Sequence, residues 1–452
     1  VIRALLVRLF RGLIRLYFRS IEELGARPSP VTASRLFVAN HQNALIDPIL
    51  VITSAPCPIS PVAKSTLWDI PGLRWLLDRA EAVPIVRKRD DPNKRADDND
   101  AVFERVGSFL SAGGNLLIFP EGTSHNEPHL QRLRTGAARM LARAAAHRAA
   151  HPDAPAPAPL TFQAVALEFE ARDTFRSRCV LSYGPVRTMD DFDDAEPRPE
   201  PADDPATSEA VIQAITDRMR EDLSSLLVEG ESWTERRLMF RVAELVRNES
   251  GRRTFADLAA IGQAVRRARD ELAVEPSRVE PVARAVNAYF DRLESAGLRD
   301  ELFVRDPADG PGMDLAALVR RALFPVAALG VLLYFLPYQL PRIVARRDQH
   351  ADMQSTLKLG VGMALFPLWA IGLCVACARW IPAPWWALAV VLAVLSPFVA
   401  LDRLEHEGSF SRAFVLLKRH ADLVTLARLR AAALDAISAV EPAAISAATP
   451  QA

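Results

Sequence analysis

Leu116-Leu117-Ile118-Phe119-Pro120-Glu121-Gly122-Thr123-Ser124-His125 decides how this chain folds. Four apolar residues run into a proline, a carboxylate, a glycine and two hydroxyls. An uninterrupted short apolar run bounded by turn residues is the pattern of a strand buried on both faces, as in parallel sheets. The loop behind it carries chemistry. Glycine lets a backbone approach a ligand closely, and Glu121, Thr123 and Ser124 can bind hydroxyl or phosphate groups.

Working outward, further strand patterns occur at residues 36–39, 59–63, 82–86, 163–169 and 179–183. Helical stretches lie near 48–53, 73–79, 99–111 and 133–148. This alternation predicts an α/β domain over residues 31–187, with a mixed, partly parallel sheet flanked by helices. The Ala- and Pro-rich stretch 144–159 reads as a loose insertion, and residues 188–207 as an acidic, proline-rich linker. Residues 208–305 show helical periodicity and predict a module of three or four helices, followed by a second linker at 306–312.

In residues 1–30, Leu5, Leu6, Leu9, Leu13, Leu16 and Tyr17 recur at helical spacing against Arg3, Arg8, Arg11, Arg15 and Arg19. Such a cationic amphipathic helix suits an anionic membrane surface. Docking on the protein's own core fits the pattern equally. The arginines interrupt every apolar core that a cleavable signal would need.

The stretch 315–401 changes solvent. Residues 357–380 approach the ~20 residues of a bilayer span, and 385–401 are almost uncharged. Residues 323–338 are apolar but short and hold Pro325 and Pro337. Arginines cluster at 320–321, 342–347 and 403–419. All of them stay on one side if the first segment is re-entrant and the other two form a hairpin. The expected architecture is therefore a C-terminal transmembrane hairpin, an active site facing the cytoplasm, and a cytoplasmic helical tail over 402–452. Buried core helices are the alternative reading of these segments.

Lys+Arg and Asp+Glu are equal at 55 each, so the basic excess of a nucleic-acid-binding chain is missing. Cys57, Cys179, Cys374 and Cys377 form no disulfide framework. Cys374-x-x-Cys377 lies in an apolar run without a second ligand pair, which argues against a metal.

A second informative stretch is Asn40-His41-Gln42-Asn43-Ala44-Leu45-Ile46-Asp47-Pro48. Asp47-Pro48 reads as an N-cap followed by proline at the first helical position, and His41 by itself as a turn histidine. The other reading is a general base and its orienting carboxylate. The third stretch, Val83-Pro84-Ile85-Val86-Arg87-Lys88-Arg89, is a strand ending in three cations, suited to phosphate or to ordinary solvent.

In this order the three stretches resemble the glycerolipid acyltransferase family (PlsC-like glycerol-3-phosphate and lysophosphatidate acyltransferases). Phe119 to Ser124 match its Phe-Pro-Glu-Gly-Thr/Ser motif, and Val83 to Arg87 its strand ending in arginine. His41 and Asp47 match its His/Asp motif with five intervening residues where the family has four. That spacing, with Phe175-Arg176-Ser177-Arg178 and Ser182-Tyr183-Gly184-Pro185, looks like the fungal-type glycerol-3-phosphate branch and its bacterial relatives. The family's proline-bearing fourth motif would fall at 164–167, where there is no proline.

The resemblance implies transfer of a fatty acyl group from acyl-CoA or acyl carrier protein to a hydroxyl of glycerol-3-phosphate or lysophosphatidate, without metal or organic cofactor. His41 would be the base and Asp47 its orienter. Arg87, Glu121, Gly122, Thr123 and Ser124 would bind substrate, and membrane lipids would be the other partner. Remodelling of another lysophospholipid and a catalytically inactive membrane scaffold are the alternatives.

Overall fold

Leu36, Phe37, Val38 and Ala39 are wholly buried, and so are Leu116 and Leu117. Side chains alternate between the faces of a strand, so burial of consecutive residues requires cover on both sides. A computed structural model of the chain describes residues 2–29, 34–85, 100–153, 158–189, 209–272, 276–303, 315–347, 353–406 and 420–440. It forms two compact units, residues 1–237 with 254–266 and residues 238–253 with 267–452.

The first unit is built on a seven-stranded sheet. The strands are β1 (Ser20–Gly25), β2 (Arg35–Ala39), β3 (Ser60–Lys64), β4 (Val83–Ile85), β5 (Leu116–Ile118), β6 (Thr161–Phe169) and β7 (Arg178–Thr188), in the spatial order β1-β7-β6-β2-β5-β3-β4. Only β6 and β7 pair antiparallel; every other neighbouring pair is parallel. β2 lies between β5 and β6, with Val38 opposite both Ile118 and Ala164. The C-terminal ends of the central strands β2, β5 and β6 therefore emerge on the same side, where open α/β sheets bind their ligands.

The unit's helices are α1 (Ile2–Tyr17), α2 (Ile46–Ser54), α3 (Leu73–Arg79), α4 (Asp100–Ser111), α5 (Gly136–Ala150) and α6 (Glu209–Ser225). Leu36 and Val38, Leu116 and Ile118, and Phe162 and Ala164 share one core with Val106, Leu110, Leu141, Ile212 and Leu223. So α6, expected within a separate helical module, contributes its apolar stripe to the core of the sheet.

β1 was absent from the expected strands. Its sequence, Ser-Ile-Glu-Glu-Leu-Gly, is polar because it forms an edge, where one side of the backbone meets solvent.

α1 uses two faces. Ile14 and Tyr17 are buried, while Ile2, Leu5, Leu9 and Leu16 are exposed. Its C-terminus is held by Arg176, whose guanidinium donates to the carbonyls of Arg15, Leu16 and Phe18 and whose N–H donates to Tyr17 O at 2.7 Å. A cation on the last carbonyls of a helix satisfies its unpaired acceptors and complements its dipole. Part of the Phe175 to Arg178 stretch thus works as a helix clasp.

The second unit includes α9 (Pro276–Ser295), α10 (Leu315–Ala322), α11 (Phe324–Arg346), α12 (Gln354–Trp380), α13 (Trp385–His406) and α14 (His420–Val440). Two further helices, α7 (Trp233–Glu249) and α8 (Phe255–Leu272), complete the chain. Asp300, fully buried, accepts from Asn248, from the Tyr289 hydroxyl at 2.6 Å and from Arg430 at 2.9 Å, which ties α14 to the α9 region.

α11, α12 and α13 are each long and apolar enough to cross a membrane. The first apolar segment, expected to end near residue 338, continues through Pro337 and Pro341 to Arg346. Its 23 residues give a helix of about 34 Å. Ala327, Gly330, Tyr334, Pro337, Pro341 and Ala345 form its buried face, and Gly330 lies against the Ser396 carbonyl of α13. Small residues at such a crossing let two backbones approach closely.

Candidate active site

Adjacent parallel strands β2 and β5 release residues 40–47 and 119–125 side by side. Asn40 fixes the exit of β2: its amide donates to Leu167 O at 3.1 Å and its carbonyl accepts from Leu167 N at 2.7 Å. The following turn absorbs its length at Ala44, which takes φ +23°, and α2 begins at Ile46. Asp47 is thus not the cap that its Asp-Pro context suggested. It lies in the first turn of α2, fully buried, and points back across the turn.

Asp47 Oδ2 meets His41 Nδ1 at 2.9 Å. The same oxygen accepts the N–H groups of Gln42 at 2.8 Å and Asn43 at 2.7 Å. Acceptance by the carboxylate places the proton of neutral His41 on Nδ1 and leaves Nε2 with its lone pair. Phe119 stacks on the imidazole, centroids 4.1 Å apart, and the His41 side chain keeps 17% of its surface open. The two residues singled out for base and orienter are brought together in this geometry.

The second loop braces the first. His41 N–H donates to Glu121 Oε1 at 2.8 Å, and His125 N–H to His41 O at 3.1 Å. Glu121 Oε2 accepts from Gln131 N at 2.8 Å and pairs with His125 Nε2. His125 Nδ1 accepts the Glu127 N–H, so the ring proton sits on Nε2, directed at Glu121. Arg172 donates to Gln42 O at 2.9 Å and His125 O at 3.1 Å, joining both loops.

Glu121 is buried, and its three contacts, from His41 N–H, His125 Nε2 and Gln131 N–H, hold the His41 backbone and the loop in place. Gly122 takes φ +76°. The Thr123 hydroxyl donates to Ser124 O at 3.3 Å, and both residues are half-buried. Arg87 lies outside the described residues.

A crevice of about 220 Å³ opens behind Glu121 and His125. Glu168 in its wall is held above the usual carboxylate range by burial, against the pull of Arg236. Cys179 is the thiol nearest in effect to the pair. Burial first, then the carboxylates of Glu22 and Asp47, push it well above the ordinary thiol value. It is therefore a protonated core residue, a poor nucleophile.

Sequence reasoning missed Arg172 and gave His125 no role. The partners of Arg172 are backbone carbonyls contributed by distant segments, which leave no local pattern.

Residues 20–157, which hold the strand ends and the buried histidine–carboxylate pair, match the Acyltransferase family model. Over 127 residues the chain is 29% identical to the chloroplastic 1-acyl-sn-glycerol-3-phosphate acyltransferase LPAT1 of Arabidopsis thaliana, covering 28% of this chain and 33% of that protein. Over 109 residues it is 33% identical to the lyso-ornithine lipid O-acyltransferase of Pseudomonas aeruginosa, covering 24% and 37%. The matches thus span only about a third of each relative's length. The PlsC 1-acyl-sn-glycerophosphate acyltransferase of Thermotoga maritima aligns with a TM-score of 0.33 and 16% identity, over 48% of this chain and 78% of that one.

Proposed function

We propose that this chain transfers a fatty acyl group from the thioester of acyl-CoA or acyl carrier protein to a hydroxyl of glycerol-3-phosphate or lysophosphatidate. The observation that carries the reading is His41, with Nδ1 fixed on buried Asp47 and Nε2 left as a base. Nε2 takes the proton of the acceptor hydroxyl as its oxygen attacks the thioester carbonyl. Asp47 stabilises the imidazolium that forms. Collapse of the tetrahedral intermediate breaks the C–S bond, and the departing thiolate takes the proton back from Nε2. No acyl-enzyme is needed, in keeping with a Cys179 held protonated. The five residues between His41 and Asp47 support the fungal-type glycerol-3-phosphate branch.

On this reading the reaction runs at a membrane, with the site on the cytoplasmic side. Support comes from α11 to α13 and from α1, whose exposed Ile2, Leu5, Leu9 and Leu16 lie beside exposed Arg8 and Arg15. Such a face suits an anionic lipid surface. Membranes bearing the wild type, assayed with labelled acyl-CoA and each acceptor, should incorporate label that His41→Ala abolishes. Equal incorporation by both forms removes His41 from the reaction. The resemblance to a lyso-ornithine lipid acyltransferase favours, as a second reading, an acceptor that is another lysolipid. Label entering such a lysolipid alone would select it. An inactive scaffold fits poorly with an intact, fully bonded His41–Asp47 pair.

A further inference from the structure

The acceptors proposed above carry a phosphomonoester, while His41 itself is bonded to the carboxylates of Asp47 and Glu121, and the nearby Arg172 guanidinium is engaged by the Gln42 and His125 carbonyls. A dianion bound beside them needs a cation positioned on the same loops. We infer that Arg134 is that cation, a substrate-binding residue that grips the acceptor's phosphate. This rests on the proposed acceptor class.

Gly122 marks the path of the Arg134 side chain. An added Cβ there would sit 2.6 Å from Arg134 Nε and 2.8 Å from its Cδ. The guanidinium stem occupies the space that any other residue at 122 would fill. The backbone fixes the same contact: Arg134 N–H donates to Pro120 O at 2.8 Å, and Gln131 N–H to Glu121 Oε2 at 2.8 Å. Buried Leu133 anchors the segment from below. Residues 131–134 are therefore laid along residues 120–122, within the loop that stacks Phe119 on His41.

The head group is exposed and, among the described residues, makes no hydrogen bond or ion pair. Arg139, Arg143, Arg178 and Arg187 of the same unit each pair with a carboxylate. A planar fork with free donors, aimed from a fixed stem, suits a phosphate bidentately.

The test uses the full chain in lipid–detergent micelles with palmitoyl-CoA. Acceptors are glycerol-3-phosphate, lysophosphatidate and the phosphate-free monoacylglycerol. Arg134→Gln is expected to raise KM for the phosphorylated acceptors about 10- to 100-fold, the span of a charge-assisted hydrogen bond, and to leave KM for palmitoyl-CoA in place. Arg134→Lys, keeping the charge, should recover part of that loss. Arg132→Gln, which alters a neighbouring exposed arginine, should match the wild type.

An unchanged acceptor KM in Arg134→Gln, in protein whose thermal unfolding matches the wild type, overturns the inference and leaves the proposed function standing. So does an equal KM rise with monoacylglycerol. A wild type that acylates neither phosphorylated acceptor overturns the acceptor reading and this inference with it.

Discussion

Asp47→Asn separates orientation from charge in an unusual way here. Three donors converge on one carboxylate oxygen: the Gln42 and Asn43 N–H groups and His41 Nδ1, at 2.7 to 2.9 Å. In the asparagine variant the amide oxygen must take that position, since an NH2 there would face two fixed N–H donors. The imidazole then keeps its tautomer, and only the charge is lost. At about 4 Å and an effective dielectric near 20, the attraction between carboxylate and imidazolium is about 4 kcal/mol. That corresponds to about three decades in rate. The expected fall in kcat is about 100- to 1,000-fold, short of the ~10,000-fold seen when the same exchange flips a triad's tautomer.

Asp47 Oδ1 is buried without a partner, so the new NH2 is an unsatisfied donor costing about 1–3 kcal/mol of stability. Single-turnover acyl transfer gives the rate, and nitrogen-15 spectra of labelled histidine give the tautomer. A kcat within tenfold of the wild type, or a proton found on Nε2 in the neutral variant, would refute the reasoning.

Removing the brace is a milder change. His125→Ala should lower kcat roughly 5- to 30-fold by freeing Glu121, and His125→Gln, which retains a donor, should recover most of it; unaltered steady-state rates in the alanine variant would show that Gln131 and His41 hold Glu121 unaided. Cys179→Ala should leave kcat essentially unchanged, and intact-mass spectra with acyl-CoA alone should show no acyl adduct, whose accumulation would contradict direct transfer. Because burial and two carboxylates raise the Cys179 thiol, its proton stays on through neutral and mildly alkaline pH, and iodoacetamide labelling of the native protein should not climb there as a surface thiol's would. Gly330→Ala should cost about 1–3 kcal/mol through overpacking against Ser396, while Gly360→Ala, with open space around it, should not lower the unfolding temperature.

The parts of this molecule legible in its sequence are those whose cause is local. β2, β5 and β6 read as strands because burial on both faces makes them continuously apolar. The motif residues His41, Asp47 and Glu121 stood out because each follows such a strand. Asp47 resembled a cap because Asp-Pro occurs at helix starts; its role depends on a turn that starts α2 two residues earlier and folds the carboxylate back. β1 could not be read, since its partner β7 lies more than 150 residues away and its own residues are polar. The internal prolines of α11 read as an end, yet that helix runs on through Pro337 and Pro341, both on its buried face. Neighbouring helices commonly make such prolines tolerable.

The connection between β6 and β7 is only residues 170–177, yet it serves two masters. Near its start, Arg172 grips the carbonyls of Gln42 and His125; near its end, Arg176 grips the last turn of α1. Three residues separate the two grips. The helix with the greasy outward stripe and the loops that set the base are thus fastened to opposite ends of one short strap, and a tug on the former reaches the latter without passing through the sheet.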